Sequence, residues 1–159
     1  MKTTREAAKE ETHKELVNNL QELLVKNYDA NKGFKKAIKE AKDHELKEFF
    51  KIQAFQHHRY ATQLDKLIHS LNHTPIEEGS TVGRFHRIWM DVLKTISGND
   101  DKTIFEECKR GQTATMKEYR EKLRNNKFPL EIKDLLKKHL LELETSLHEN
   151  KAIKELNKI

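Results

Sequence analysis

The segment between Gly79 and Gly98 constrains the fold of this chain most. Apolar residues recur within it at helical spacing: Val82, Phe85, Trp89, Val92, Leu93 and Ile96. Ser80 suits a helix N-cap, because its hydroxyl can accept a hydrogen bond from an early backbone N–H group. The segment therefore predicts an amphipathic connector helix over about residues 80–97, roughly 27 Å long at 1.5 Å per residue. Two long helical patterns precede this connector and two follow it, so it can run the length of a bundle.

The flanking patterns predict four long helices. The first covers about residues 14–41, the second 43–72 and the third 100–124, and the fourth begins near Pro129. The short link between the first two makes them antiparallel, as does the link between the last two. If the connector runs back along the bundle, the second and third helices are parallel. The predicted fold is therefore all-α, a ferritin-like four-helix bundle with a helical crossover between its second and third helices.

The composition favours long solvated helices around one core. Of 159 residues, 36% are charged and 35% hydrophobic, and five Gly and two Pro permit few turns. We expect residues 1–12 to be a flexible lead-in and residues 13–159 to form a single four-helix-bundle domain. Ile52 and Phe55 lie off the apolar stripe of the second helix, so the connector is expected to cover them.

Charge and cysteine content indicate which compartment and which partners to expect. The 31 basic residues are interspersed with 26 acidic ones, which is typical of a salt-bridged solvated surface, so nucleic acid is not the expected partner. No apolar run approaches the ~18 residues of a membrane span, and Met1 to His13 lacks the apolar core of a signal peptide. With Cys108 as the only cysteine, the expected compartment is the cytoplasm. A homodimer and an unknown protein partner both stay open.

Short motifs along the chain form a combined pattern. They are Gly79-Ser80, His86-Arg87-Ile88-Trp89, Glu106-Glu107-Cys108-Lys109-Arg110-Gly111 and Tyr119, with Asp29, Gly33 and Arg59. Over about residues 15 to 150, the pattern resembles a bacterial ferritin-like four-helix-bundle family of unassigned function. In that family Arg-Gly is usually followed by two acids, where this chain has Gln112-Thr113. The resemblance implies a fold and no established reaction.

A di-iron centre in such a bundle needs inward carboxylates. The usual set is a Glu from each of two helices and Glu-x-x-His from each of the other two. The only Glu-x-x-His here runs from Glu10 to His13, in the lead-in rather than at the middle of the bundle, while His57 and His139 have no Glu three residues earlier. A standard di-iron oxidase is therefore not expected. No catalytic residue is assigned, and the sequence leans away from an enzyme.

Four polar residues fall near the middle of their helices and on the apolar stripes: Asn27, His57, Gln112 and His139. If the helices are in register, these residues form a polar core layer. One interpretation is a hydrogen-bonded layer that fixes the packing, because buried polar groups must be paired. The other is an altered metal site with His57 and His139 as ligands, which would suit zinc or copper better than di-iron. The first interpretation requires no cofactor, and the second requires a transition metal.

Three residues of the connector form the predicted anchor: His86, Arg87 and Trp89. Trp89 is expected to fix the connector to the bundle, while His86 and Arg87 bond to helix ends. Gly33 lies mid-helix, where it costs about 1 kcal/mol relative to Ala, so another element is expected to pack close to it.

The sequence therefore predicts an uncharacterised, non-enzymatic helical-bundle protein that acts by binding, in a stress-associated or envelope role. The alternative is a metal-binding ferritin-like protein. A weaker third hypothesis is nucleic-acid association through the basic excess.

Overall fold

The computed structural model describes residues 3–79 and 87–156, with side chains described as far as residue 148. These segments contain five α-helices and no strand, which confirms the predicted all-α class. The helices are α1 Thr4–Glu40, α2 His44–Ser70, α3 Arg87–Ile96, α4 Asp101–Asn125 and α5 Leu130–Leu156. Within the described segments, none of them combines the length and apolar character that crossing a membrane requires.

Helix α1 begins well before the point that its apolar periodicity predicts. Thr3 Oγ1 accepts a hydrogen bond from the Glu6 N–H group at 3.1 Å, and the Glu6 carboxylate accepts one from the Thr3 N–H group at 3.1 Å. This reciprocal capping box satisfies two N–H groups that a helix start otherwise leaves unpaired. Residues assigned to a lead-in are therefore helical from Thr4 and exposed. Their flexibility stays a prediction.

Hydrogen bonds near both ends of α4 set its direction relative to α1. At one end, the Asp101 carboxylate of α4 accepts from the backbone N–H groups of Lys42 at 2.8 Å and Asp43 at 2.9 Å. At the other end, the Lys122 ammonium donates to Asn19 Oδ1 at 3.1 Å. The beginning of α4 thus lies beside the end of α1, and the two helices are antiparallel.

Bonds between α2 and α5 complete the arrangement. Ser146 Oγ donates to Gln56 Oε1 at 2.9 Å, while His139 Nε2 lies 2.7 Å from Gln63 Oε1. Residue numbers rise along one helix as they fall along the other, so α2 and α5 are antiparallel. Asn27 of α1 bonds to His57 of α2, and Asn31 of α1 bonds to the Ala54 carbonyl oxygen of α2, so α2 is antiparallel to α1 as well. Helices α2 and α4 therefore run in the same direction.

Helix α3 is fixed between α1 and α4 by Trp89, which is 2% exposed. A Cβ atom added to Gly33 would lie 2.4 Å from Trp89 Cε3, and one added to Gly111 would lie 2.8 Å from Trp89 Cη2. Real Cβ atoms do not approach so closely, so the indole requires glycine on both helices. This contact confirms the expectation that another element packs close to Gly33.

The predicted partner of the connector was wrong. Ile52 and Phe55 on α2 are 63% and 69% exposed, because the indole inserts between α1 and α4 and turns the apolar face of α3 toward those helices. Of the predicted connector, the helix from Arg87 to Ile96 is described. Residues 80–86, which include the predicted N-cap and Phe85, lie outside the described residues.

The apolar core has two parts along the bundle axis. On α1, one part includes residues up to Leu24 and the other begins at Ala30. The same division falls between Ala54 and Tyr60 on α2, and between Cys108 and Met116 on α4. Asn27, His57 and Gln112 occupy these gaps, whereas His139 on α5 lies between Leu136 and Leu143, which belong to the same part. Polar side chains at mid-height therefore divide the core in two.

Candidate functional site: the polar layer

All four residues of the predicted polar layer are buried at mid-height. Asn27, His57 and Gln112 are 0% exposed and His139 is 1% exposed. Asn27 lies on α1, His57 on α2, Gln112 on α4 and His139 on α5. Because buried polar groups are costly unless they are bonded, their partners determine what the layer can do.

The amide of Asn27 has one orientation that satisfies its neighbours. Its Nδ2 donates to the Leu23 carbonyl oxygen at 2.9 Å and to the Tyr119 hydroxyl at 2.9 Å. A carbonyl oxygen only accepts, so the amide nitrogen must face Leu23 and the amide oxygen must face His57, whose Nδ1 lies 2.9 Å away. His57 therefore carries its proton on Nδ1, and its Nε2 carries a lone pair.

The hydrogen bonds of Tyr119 determine the tautomer of His139. The Tyr119 hydroxyl accepts from Asn27, so it donates its own proton to His139 Nδ1 at 2.8 Å. His139 then carries its proton on Nε2 and donates to Gln63 Oε1 at 2.7 Å. The two imidazoles are thus opposite neutral tautomers joined through Asn27 and Tyr119.

Aromatic rings enclose both imidazoles. The Tyr60 ring stacks on His139 with centroids 4.0 Å apart and meets His57 edge-on at 5.9 Å. Phe34 stacks on the other histidine, His57, at 5.7 Å. The Tyr60 hydroxyl donates to the Glu142 carboxylate at 2.8 Å. The rings leave the imidazoles little contact with water.

Burial makes both imidazoles poor bases. Loss of solvation lowers the pKa of His57 to about 3, and the nearby His139 contributes to that shift. Burial likewise lowers the pKa of His139 to about 3, with Arg59 and Lys138 as smaller causes. Both histidines are therefore neutral at pH 7.

The hydroxyl and thiol groups nearby are equally resistant to ionisation. Burial raises the pKa of Tyr60 above its usual range, and the bond to Glu142 raises it further. Burial also raises the pKa of Tyr119, although its bond to Asn27 opposes the shift. The Cys108 thiol on α4 is buried, which raises its pKa and makes it an unreactive core residue.

Gln112 lies on a separate branch of the layer. Its Nε2 donates to Gln53 Oε1 at 3.3 Å rather than to any of the other three predicted residues. Three buried atoms of these layer residues make no hydrogen bond to the described part of the chain: Gln53 Nε2, His57 Nε2 and Gln112 Oε1. The structure thus links Asn27, His57 and His139 through Tyr119 and leaves Gln112 paired with a residue outside the predicted set.

The donor set does not fit the metal site considered from the sequence. Both nitrogens of His139 are already bonded, one to Tyr119 and one to Gln63. His57 has only Nε2 available, since Nδ1–H donates to Asn27. Among the described residues, no group of three or more His, Cys, Asp or Glu side chains could hold a metal ion. A two-histidine site would require the layer to break its own hydrogen bonds.

Besides Tyr119 and Gln53, two further participants lie outside the predicted set: Tyr60 and Gln63. They follow His57 by three and six residues on α2. A tyrosine one helical turn from a buried histidine was the available signal. Gln63 gave no comparable signal, because it is half-buried and faces α5.

Trp89 is the described member of the predicted connector anchor that bonds to the bundle. Its Nε1 donates to Thr115 Oγ1 at 3.1 Å, and that hydroxyl donates to the Gly111 carbonyl oxygen at 3.1 Å. Arg87 begins α3 and is exposed, and His86 lies outside the described residues. The role of Arg87 and His86 at helix ends stays a prediction.

Comparison with known proteins gives one family. The family described as a domain of unknown function (DUF2383) matches residues 15–125, which is more than half of the chain. The match begins within α1 and ends at the last residue of α4, so it includes the whole of α2, α3 and α4 and excludes α5. No curated protein and no solved structure gave a significant match.

Proposed function

Because the chain belongs to this family of unknown function, we propose its role from the geometry of the polar layer. The chain is a non-enzymatic, ferritin-like helical-bundle protein that acts in the cytoplasm by binding, in a stress-associated role. The observation that carries the proposal is that the mid-bundle side chains bond to one another as neutral groups.

The helix directions support the ferritin-like part of the proposal. A ferritin-like bundle has two antiparallel helix pairs and one long crossover, which leaves its second and third long helices parallel. Here α2 and α4 run in the same direction and α3 belongs to the chain between them. The family resemblance noted for the sequence points to the same arrangement.

The protonation states support the non-enzymatic part. General acid–base catalysis is most effective when the pKa of the catalytic group lies near the working pH. The pKa values of His57 and His139 are about 3, and those of Tyr60 and Tyr119 are raised by burial. At pH 7 the layer therefore has neither a base nor an acid poised for proton transfer. Its hydrogen bonds instead specify how the helices align.

Metal analysis tests the proposal. The protein is purified without an affinity tag or chelator, and iron, manganese, zinc and copper are measured by mass spectrometry. We expect each metal well below one equivalent, both in the parent and in the His57→Ala variant. A stoichiometric metal in the parent that is lost in His57→Ala would support the metal-binding alternative instead.

Light scattering on the same sample tests self-association. Salt-dependent retention on DNA tests nucleic-acid association, since phosphate contacts weaken steeply with salt. We expect no salt-dependent retention, because acidic and basic residues are interspersed along the chain.

A further inference from the structure

We propose that Gln53, His57 and Gln112 form a buried binding site for one water molecule that links α2 to α4 across the middle of the bundle. The inference concerns a ligand of the polar layer and goes beyond the binding role proposed above. It rests on three side chains that are all 0% exposed and on the hydrogen-bonding character of the one atom that each leaves without a partner in the described residues.

The first of these atoms, His57 Nε2, is a hydrogen-bond acceptor. His57 Nδ1 donates to Asn27 Oδ1, and the orientation of Asn27 is set by its bond to the carbonyl oxygen of Leu23. A neutral imidazole protonated on Nδ1 has a lone pair on Nε2. His57 Nε2 therefore requires a donor from its ligand.

The other two atoms, Gln53 Nε2 and Gln112 Oε1, are a donor and an acceptor. In the bond between the two glutamines, Gln112 Nε2 donates and Gln53 Oε1 accepts. The bond leaves the Gln53 amide N–H₂ as a donor and the Gln112 amide oxygen as an acceptor. If both amides were turned over, their bond would persist and again leave one donor and one acceptor. The count does not depend on how the amide atoms are assigned.

Helical spacing and one hydrogen bond bring the three side chains near one another in the core. Gln53 and His57 are four residues apart on α2, so their side chains are neighbours on the same face of the helix. The 3.3 Å bond brings the Gln112 amide of α4 against that face. The site therefore lies between diagonally opposite helices.

Water is the ligand that these groups match. It can donate to His57 Nε2 and Gln112 Oε1 and accept from Gln53 Nε2, and three hydrogen bonds are typical of a buried water molecule. A metal cation would face the positive end of the Gln53 N–H group. An anion would face two lone pairs. Neither fits the two acceptors and one donor.

A water molecule here would join two separate hydrogen-bond networks. One network runs from His57 through Asn27 and Tyr119 to His139, and the other is the pair Gln53–Gln112. A bond from water to His57 Nε2 also holds the imidazole in the tautomer that Asn27 requires. The layer then becomes one continuous network over α1, α2, α4 and α5.

Solution NMR on protein with ¹⁵N-labelled histidine tests the proposal. For His57 we expect an unprotonated Nε2 whose resonance is shifted by hydrogen bonding, and cross-relaxation between its ring protons and a long-lived water molecule. The Gln112→Leu variant should lose the water signal. The matched control, Gln63→Leu, removes a partner of His139 at the far end of the layer and should keep it.

Cross-relaxation absent from the parent, with a His57 Nε2 resonance free of hydrogen bonding, overturns the proposal. The parent measurement decides even if Gln112→Leu fails to fold. Zinc chloride is added to a second sample. A stoichiometric shift of the His57 resonances by zinc would overturn both this water site and the proposed metal-free function. Absence of the water signal in protein that binds no zinc would overturn only the water site.

Discussion

At the scale of single residues, Trp89 is held by two residues that have no side chain. Gly33 and Gly111 leave room for the indole on α1 and α4, and Thr115 accepts the indole N–H. Glycine inside a helix costs about 1 kcal/mol relative to alanine, so the molecule gives up helix stability at two positions to bury one ring.

Whether Gly111→Ala raises or lowers the free energy of unfolding should depend on the indole of Trp89. Gly111→Ala should lower the free energy of unfolding by about 1–3 kcal/mol, because its Cβ atom would lie 2.8 Å from Trp89 Cη2. In a Trp89→Ala background the clash disappears. Gly111→Ala should then raise the free energy of unfolding by about 1 kcal/mol, because alanine has the higher helix propensity. Denaturant titration of the four proteins measures both values. Equal effects in the two backgrounds would refute the steric explanation.

Truncating the indole itself should be among the costly substitutions. Trp89→Ala should lower the free energy of unfolding by about 3–5 kcal/mol, since the ring is almost fully buried. Met90→Ala is the neighbouring control, because Met90 is 49% exposed and should change stability little. A loss below about 1 kcal/mol for Trp89→Ala would rule out the anchor.

The buried histidines should make the protein sensitive to acid. Their pKa falls from 6.5 to about 3 on folding, so between these values the unfolded state binds more protons than the folded state. The free energy of unfolding should therefore decrease as the pH drops below 6.5, by up to about 1.4 kcal/mol per pH unit for each histidine.

Denaturant titrations between about pH 4.5 and pH 6 measure this slope. His57→Gln should flatten it, since glutamine does not titrate. His69→Gln, at a histidine of the same helix whose side chain is 64% exposed, is the control for the substitution itself. A parent slope that His57→Gln leaves intact would show that His57 does not contribute to the acid sensitivity.

The sequence predicted which residues would be buried at mid-height but not how they bond. Helical periodicity places Asn27, His57, Gln112 and His139 on the inner faces, and all four are buried. Their partners depend on side-chain rotamers and on the axial offset between helices, which periodicity does not encode. Gln112 consequently bonds to Gln53 instead of joining the predicted set.

At the scale of helices, Asp101 joins three elements. Its carboxylate accepts from the backbone N–H groups of Lys42 and Asp43, which lie in the link between α1 and α2. These N–H groups precede α2, and Asp43 itself caps that helix by accepting from the Leu46 N–H group at 2.9 Å. One side chain of α4 therefore fixes the turn between the first two helices.

Removing this carboxylate should loosen the turn. Asp101→Ala should lower the free energy of unfolding by about 1–2 kcal/mol, in the range measured for lost helix caps. Asp134→Ala on the exposed side of α5 serves as the control and should change it by less than about 0.5 kcal/mol. Amide hydrogen exchange at Lys42 and Asp43 should accelerate only in Asp101→Ala. Unchanged exchange there would contradict the role assigned to Asp101.

Helix ends were predictable where a capping side chain was recognised. The second helix was predicted to begin at residue 43, and Asp43 is the N-cap of α2. The start of α1 was missed although Thr3 and Glu6 have the spacing of a capping box, because the residues that follow carry no apolar stripe. The position of α3 was missed for another reason. An amphipathic pattern shows that one face is buried but not which helix covers it.

At the scale of the whole molecule, the exposed apolar pair on α2 should not contribute to the stability of one chain. Replacing Ile52 and Phe55 together with Ser should change the free energy of unfolding by less than about 1 kcal/mol, because both are mostly exposed. Phe50→Ala, on the buried face of the same helix, should cost about 3–5 kcal/mol.

Thermal melts over a range of protein concentrations complete that test. A concentration-independent melting temperature in the parent agrees with an uncovered pair. A melting temperature that rises with concentration in the parent but not in the double variant would show that a second copy covers Ile52 and Phe55.

The bonds between α1 and α4 can form only after α4 has been synthesised. Asn19 and Lys122 are 103 residues apart, so at about 5–20 residues per second their pairing waits roughly 5–20 s after Asn19 is synthesised. Helices α1 and α2 can pair within that interval, while Gly33 and Asn27 still face water. A ribosome that pauses before Gly111 therefore prolongs the lifetime of a two-helix intermediate whose cleft for the indole is open on one side.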